Sequence, residues 1–169
     1  MAAIAFQAPT AYPTLQGLQK NQRDGRLLLK AYCGRNSEMT TICQYQYHQI
    51  KAAMQYPDIA AAYQGIIRVE LVHFQLLGQC INLLGVNPQY RIFCNNKPVF
   101  WNGNCVSYCS TVQGMLMADI ENEQQSITQY RQISEQVSGV PVRQLLGRII
   151  EDEHLHQQIF TDLYNQYFY

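Results

Sequence analysis

The sequence predicts an all-α protein, an antiparallel four-helix bundle with a long crossover between its second and third helices. Three observations predict it. Apolar residues recur at helical spacing in four long segments, proline or glycine closes the segments, and one connection is far longer than the others. The 169 residues, 47% of them apolar, suit a single compact core.

Residues 1–25 carry Pro9, Pro13 and Gly17 with little periodicity and read as an irregular arm to which no chemistry attaches. Residues 26–169 form the bundle. The chain turns helical from Leu27, and after Gly34 the first long helix covers residues 37–56 and stops at Pro57. A second helix starts after Asp58, a candidate N-cap, and ends where Gly85, Asn87 and Pro88 follow one another. These two make an antiparallel hairpin. The crossover, residues 86–108, is loop-like in composition, with Pro88, Asn95, Asn96, Pro98 and Gly103 around Phe100 and Trp101 as aromatic anchors. At about 3.3 Å per residue it is long enough to run the length of a bundle. The third helix covers residues 109–137 and the fourth 141–167, with Pro141 suited to a first helical turn.

Composition excludes several classes of function. The formal net charge is zero and 14% of residues are charged, so nothing attracts nucleic acid or an anionic membrane surface. No apolar run reaches the roughly 18 residues of a membrane span, and the opening MAAIAFQAPT lacks the features of a signal peptide. A cytoplasmic location is expected. The six cysteines form no CxxC pair, which argues against a zinc ribbon or a rubredoxin-type iron site. Cys43 and Cys80 fall inside helical patterns and read as small buried hydrophobes, while Cys94, Cys105 and Cys109 share the irregular segment, where a metal clip or redox pair is the alternative to free thiols.

Four glutamates interrupt otherwise apolar stripes, one in each helix. Glu38 stands with Ile42 and Tyr45; Glu70 with Ile66, Ile67, Phe74 and Leu77; Glu123 with Leu116, Ile120 and Ile127; Glu153 with Leu145, Ile149 and Phe160. An ionised carboxylate in a core costs several kcal/mol unless it is paired, and four together repel one another. The stripes hold too few Lys or Arg to neutralise them, whereas two divalent metal ions would. Glu70 with His73 and Glu153 with His156 also repeat Glu-x-x-His, which turns a carboxylate and an imidazole to one helical face. One such spacing arises often by chance, and its ordinary meaning is a solvated face. Two copies aligned with core glutamates from the other two helices point to a dinuclear centre of Glu38, Glu70, His73, Glu123, Glu153 and His156.

Heights along the bundle test the idea. Glu123 lies 16 residues before Gly139 and Glu153 lies 14 after it, a mismatch of about 3 Å; Glu38 lies 19 before Pro57 and Glu70 lies 13 after it, about 9 Å adrift unless the turn is asymmetric. Glu151, His154 and Glu121 sit off the stripes and read as solvated, although a rotated third helix would exchange Glu121 for Glu123. Tyr45 and Tyr130 read either as core aromatics or as phenols beside a redox metal. His48 reads as an outer partner or a surface histidine.

Residue by residue, the chain from about 30 to 165 resembles the ferritin-like superfamily of bacterioferritins and rubrerythrins. Glu38 is followed seven residues later by Tyr45, and His48 falls where bacterioferritins often carry a histidine. Glu70-Leu71-Val72-His73, the Asp119-x-x-x-Glu123 spacing and the run from Ile150 to His156 match the remaining motifs. The resemblance implies a ferritin-like bundle holding two iron or two manganese ions, with Tyr45 beside the centre in a catalytic role. Leu71 replaces the methionine that ligates haem in bacterioferritins, so no haem is implied. Rubredoxin-like cysteine pairs are absent, so a peroxidase would need an external electron donor, whereas a catalase would need none. The aromatic crossover is unlike that of bacterioferritins, and manganese catalases offer a related pattern.

The expected function is a non-haem di-metal redox enzyme, a homo-oligomer acting on peroxide or dioxygen as a peroxidase or catalase. The alternatives are a ferroxidase that stores iron in an assembled shell and a structural protein that keeps the fold with an idle site.

Overall fold

The structure of the protein is a computed structural model, described over residues 5–169. The described residues contain five helices, α1 (Gln22–Cys33), α2 (Glu38–Ala52), α3 (Pro57–Leu83), α4 (Val112–Gln136) and α5 (Val140–Phe168). A two-stranded hairpin, β1 (Arg91–Cys94) and β2 (Lys97–Phe100), and a short 3-10 turn (Gly103–Cys105) lie between α3 and α4. The bundle consists of the hairpins α2–α3 and α4–α5, joined by the crossover. No described helix is long and apolar enough to cross a membrane.

Several boundaries differ from the sequence reading. Helix α1 starts inside the stretch read as an arm, where the Asn21 side chain accepts the Asp24 N–H at 3.1 Å and caps it. Gly25 hid this helix from propensity, yet a Cβ there would lie 2.8 Å from Val86 Cγ2, so the glycine permits close approach of the crossover. Helix α3 starts at Pro57 with Tyr56 as N-cap; Asp58, read as the cap, lies in the first turn, where a carboxylate favours the helix dipole. Within the crossover, Asn95 and Asn96 both take positive φ, 49° and 62°, and make the two-residue turn of the β-hairpin. Trp101 is an anchor, its indole N–H donating to Thr40 Oγ1 at 2.8 Å, but Phe100 is exposed.

Turn geometry settles the heights. Helix α2 ends at Ala52 and residues 53–56 fold back as a turn, with the Gln55 and Tyr56 N–H groups both donating to the Ala52 carbonyl. Glu38 therefore lies 14 residues before the end of α2, and Glu70 lies 13 after the start of α3, so the two differ by about 1.5 Å in height. In the other hairpin Glu123 lies 13 residues before Gln136 and Glu153 lies 13 after Val140.

The core is divided. One apolar cluster gathers Leu28, Leu77, Ile81, Ile133, Leu145 and Ile149, and a second gathers Tyr63, Ile66, Leu116, Phe160 and Leu163. The glutamate level falls between them along α3, α4 and α5, and Glu38 joins it from the start of α2. All six cysteines are free; Cys80 is buried as expected of a small hydrophobe, whereas Cys43 is only half-buried.

Candidate metal centre

Ser37 caps α2, its Oγ accepting the Thr40 N–H at 3.3 Å, and so sets Glu38 at the first helical position. The other five candidate ligands lie within the long helices, turned inward by the apolar stripes. All six are at most 3% exposed. They form two groups, Glu38, Glu70, His73 and Glu153, and Glu70, Glu123, Glu153 and His156, each offering ligand atoms within 4.8 Å of one another. Glu70 and Glu153 belong to both. The geometry thus separates two shared carboxylates from two unshared ones, Glu38 and Glu123.

Both imidazoles present Nδ1 to the carboxylates. His73 Nδ1 lies 3.0 Å from Glu70, 3.2 Å from Glu153 and 3.8 Å from Glu38. His156 Nδ1 lies 2.8 Å from Glu70 and 4.0 Å from Glu123. On the far side of each ring Nε2 meets an acceptor, Asp152 Oδ2 at 2.9 Å for His73 and the Phe6 carbonyl at 2.9 Å for His156. A carbonyl or carboxylate only accepts, so each Nε2 carries a hydrogen and a neutral ring keeps its Nδ1 lone pair for a ligand.

The unshared carboxylates each receive a phenol. Tyr45 donates to Glu123 Oε1 at 2.5 Å, and Tyr130 donates to Glu38 Oε1. Both tyrosines are therefore more than core filling. Asn122 on α4 ties that helix to α2, its Nδ2 donating to Tyr45 Oη at 3.2 Å and to Thr41 Oγ1 at 2.9 Å.

Charge is unbalanced in this cluster. Burial, reinforced by Glu70, holds the Glu38 carboxyl well above its ordinary range, and burial with Glu153 does the same for Glu123. Glu153 is pushed up to about 7 by burial and by Glu70. For Glu70 burial also acts upward, but the two histidines outweigh it and hold the carboxyl below its ordinary range. Both imidazoles are raised although burial opposes it, His73 by Asp152, Glu153 and Glu70, His156 chiefly by Glu70. Among the described residues no Lys or Arg pairs with any of the four glutamates; the buried Arg148 pairs with Asp152 instead, at 2.8 Å.

The donor set fits metal ions. Glu70 Oε1, Glu123 Oε2, Glu153 Oε1 and His156 Nδ1 are buried without a hydrogen-bond partner, even though His156 Nδ1 and Glu70 Oε1 are only 2.8 Å apart. Ligand atoms crowded at this distance without hydrogen-bond alignment suit a shared cation between them.

The remaining sequence candidates fall elsewhere. Glu121, Glu151 and His154 are exposed, and Glu123 keeps the inward position on α4. His48 is fully buried, which rules out a surface role; its Nδ1 lies 2.7 Å from Asp119 Oδ2 and its Nε2 3.0 Å from the Ser107 carbonyl. Asp119 also accepts from Tyr63 and, at 2.8 Å, from Gln44, so this polar knot ties the crossover to α2 and α4. Cys94, Cys105 and Cys109 neither pair with one another nor enter a candidate metal group among the described residues. Sequence reasoning missed Asp152, Arg148 and the arm residues around Phe6. The spacing of four between Arg148 and Asp152 was the one available signal.

A four-helix bundle with a long crossover and a central carboxylate–imidazole cluster defines a ferritin-like protein. The chain belongs to the rubrerythrin family, whose model matches residues 28–167. Among solved structures, a manganese catalase from Anabaena is similar with a TM-score of 0.83 and 17% identity, over 95% of this chain and 79% of that one. A bacterioferritin from Desulfovibrio desulfuricans, described with a diiron site, is similar with a TM-score of 0.70 and 23% identity, over 87% and 84%. A bacterioferritin from Rhodobacter capsulatus gives a TM-score of 0.73 at 16% identity, over 89% and 88%. No curated protein matches the sequence.

Proposed function

We propose that the protein is a di-metal oxidoreductase in which two iron or two manganese ions act on peroxide or dioxygen. The observation that carries this reading is the pair of merging ligand groups that share Glu70 and Glu153. In it Glu38 and His73 complete one metal position, and Glu123 and His156 complete the other. Two bound redox metals would supply the electrons that cleave an O–O bond.

The chain's own residues prepare the site for that chemistry. Asp152 fixes the orientation of His73, and an outer acceptor of this kind raises the basicity of a ligating imidazole. Tyr45 and Tyr130 hold their protons on Oη, directed at the unshared carboxylates, where burial keeps the phenols well above their ordinary pKa. Apolar clusters above and below exclude bulk water from the ligand layer. A polar cleft of about 250 Å³ between α2 and α4, lined by Thr40, Gln44, Asn122 and Gln125, suits approach of a small polar oxidant, with Asn122 standing between the cleft and Tyr45.

The bacterioferritin likeness favours one alternative, oxidation and storage of iron, which requires assembly into a shell. The test counts bound metal in wild type and in a Glu70→Ala, His156→Ala double variant, follows peroxide consumption, and measures particle mass. About two ions per chain, lost in the variant together with peroxide consumption, support the oxidoreductase. A many-subunit shell that fills with iron favours storage. Wild type that cannot be loaded with metal contradicts both.

A further inference from the structure

The two Glu-x-x-His segments face each other across the bundle, and the likeness extends one residue outward only on one side. Asp152, immediately before Glu153, is the acceptor for His73 Nε2. The corresponding position immediately before Glu70 is Val69, whose side chain accepts nothing, so α3 gives His156 no matching carboxylate. That acceptor comes from outside the bundle, from the Phe6 carbonyl of the N-terminal arm. The match to the rubrerythrin family begins at residue 28, so the arm lies beyond the segment the family model covers.

The arm is built onto the site along several residues. Ala8 N–H donates to Asp152 Oδ1 at 2.7 Å and Tyr12 Oη to Asp152 Oδ2 at 2.6 Å. Arg148, 3% exposed, donates through Nη2 to the Ala8 carbonyl at 2.9 Å and through Nε to the Thr10 carbonyl. Its guanidinium lies 4.4 Å from the Tyr12 ring centroid, and that ring meets His73 edge-on at 6.0 Å. The Phe6 ring packs on α3 at Gly65, where a Cβ would collide with it. Glycine at this helix-interior position is explained by that contact, since it otherwise weakens a helix.

We infer that the N-terminal arm is a positioning element of the metal centre, with the Phe6 carbonyl serving as the outer partner that α3 does not give His156. This rests on the dinuclear reading above. It makes the two metal positions inequivalent. His73 is backed by a carboxylate that Arg148 also holds within α5, whereas His156 is backed by a neutral carbonyl that is present only while the arm is docked. The ion on His156 is therefore the one that depends more on the arm, which touches the His73 side only through Asp152.

The experiment uses the full-length chain, titrated with Mn(II) against a competing chelator so that each ion's affinity is resolved, with the melting temperature of the metal-free chain measured alongside. Two variants loosen the arm without touching a ligand: Phe6→Ala empties the place on α3, and Gly65→Leu fills it. Gly147→Ala, on α5 where a Cβ meets nothing, is the control. Wild type and control should bind two ions. Both arm variants should bind one ion about 10- to 100-fold more weakly, the usual effect of removing an outer partner, and the other with a smaller change. Should Gly65→Leu fail to fold, Phe6→Ala decides alone. Wild-type affinity for both ions in the arm variants, or equal weakening of both ions with a general loss of stability, overturns the inference. Wild type that takes no metal overturns the dinuclear reading itself and the arm's role with it.

Discussion

Glu38 and Glu123 are set apart from Glu70 and Glu153 by their neighbours. Each unshared carboxylate accepts a buried phenol, and each shared one faces an imidazole. Tyr45→Phe removes the hydroxyl that serves Glu123 and accepts from Asn122, leaving buried polar groups without partners. The expected cost is about 1–3 kcal/mol, read as a lower denaturant midpoint with an unchanged slope. The raised carboxyls set the pH response of the metal-free chain. Glu153 titrates at about 7 when folded against an ordinary 4.5, so the folded state holds a proton that the unfolded state has released across that window. Its contribution is full below pH 4.5 and is lost as pH rises through 7; the raised His73 acts in the same direction, while Glu70, held low, has already made its contribution above 4.5. Metal-free protein should melt at progressively lower temperature between about pH 5 and 8, and a flat or rising profile would contradict the charge reading. At this scale the sequence revealed its periodic residues: the apolar stripe selected Glu123 while leaving Glu121 open, and burial of Glu123 with exposure of Glu121 separates the two. Asp152 stayed hidden because it neighbours a ligand, about 100° around the helix, where period offers no reason to expect burial. Phe6 stayed hidden because it acts through its backbone, which no side-chain pattern encodes.

Four helices were legible as elements because each carries a long apolar stripe with a clear stop, and their order with one long crossover implied the bundle. Helix α1 was largely missed, being short and interrupted by Gly25, and so was the β-hairpin. Its two strands of four residues alternate too briefly to register against a composition rich in Asn and Pro, although Asn95-Asn96 between RIFC and KPVF is a two-residue hairpin signal. The turn after α2 explains the apparent 9 Å offset between Glu38 and Glu70: residues 53–56 add chain without adding height. Two predictions belong to these elements. Asn96→Gly relieves the cost of a side chain at positive φ and should slow amide exchange in β1 and β2, whereas Asn96→Val should speed it. Trp101→Phe removes the hydrogen bond that ties the crossover to Thr40 and should lower stability by about 1 kcal/mol in denaturant unfolding.

The molecule as a whole is two apolar clusters joined through a charged layer, so its stability is divided by the site it houses. Metal bound in a layer of this kind would add stability that grows with the logarithm of its affinity. At free metal a hundredfold above Kd, each ion adds about 2.7 kcal/mol, seen as a metal-dependent rise in melting temperature. Metal must also displace protons from the raised carboxyls and imidazoles. Binding should therefore strengthen as pH rises, opposite to the trend in the metal-free chain.

Sharing of Glu70 and Glu153 between two ions is the claim on which the rest depends. Its most direct test is elemental analysis of bound metal in wild type, Glu38→Ala and Glu153→Ala after identical loading and desalting. Wild type should hold about two ions per chain, Glu38→Ala, which loses an unshared ligand, about one, and Glu153→Ala, which loses a shared one, none. Equal loss in the two variants, or a wild type that retains no metal, would contradict it.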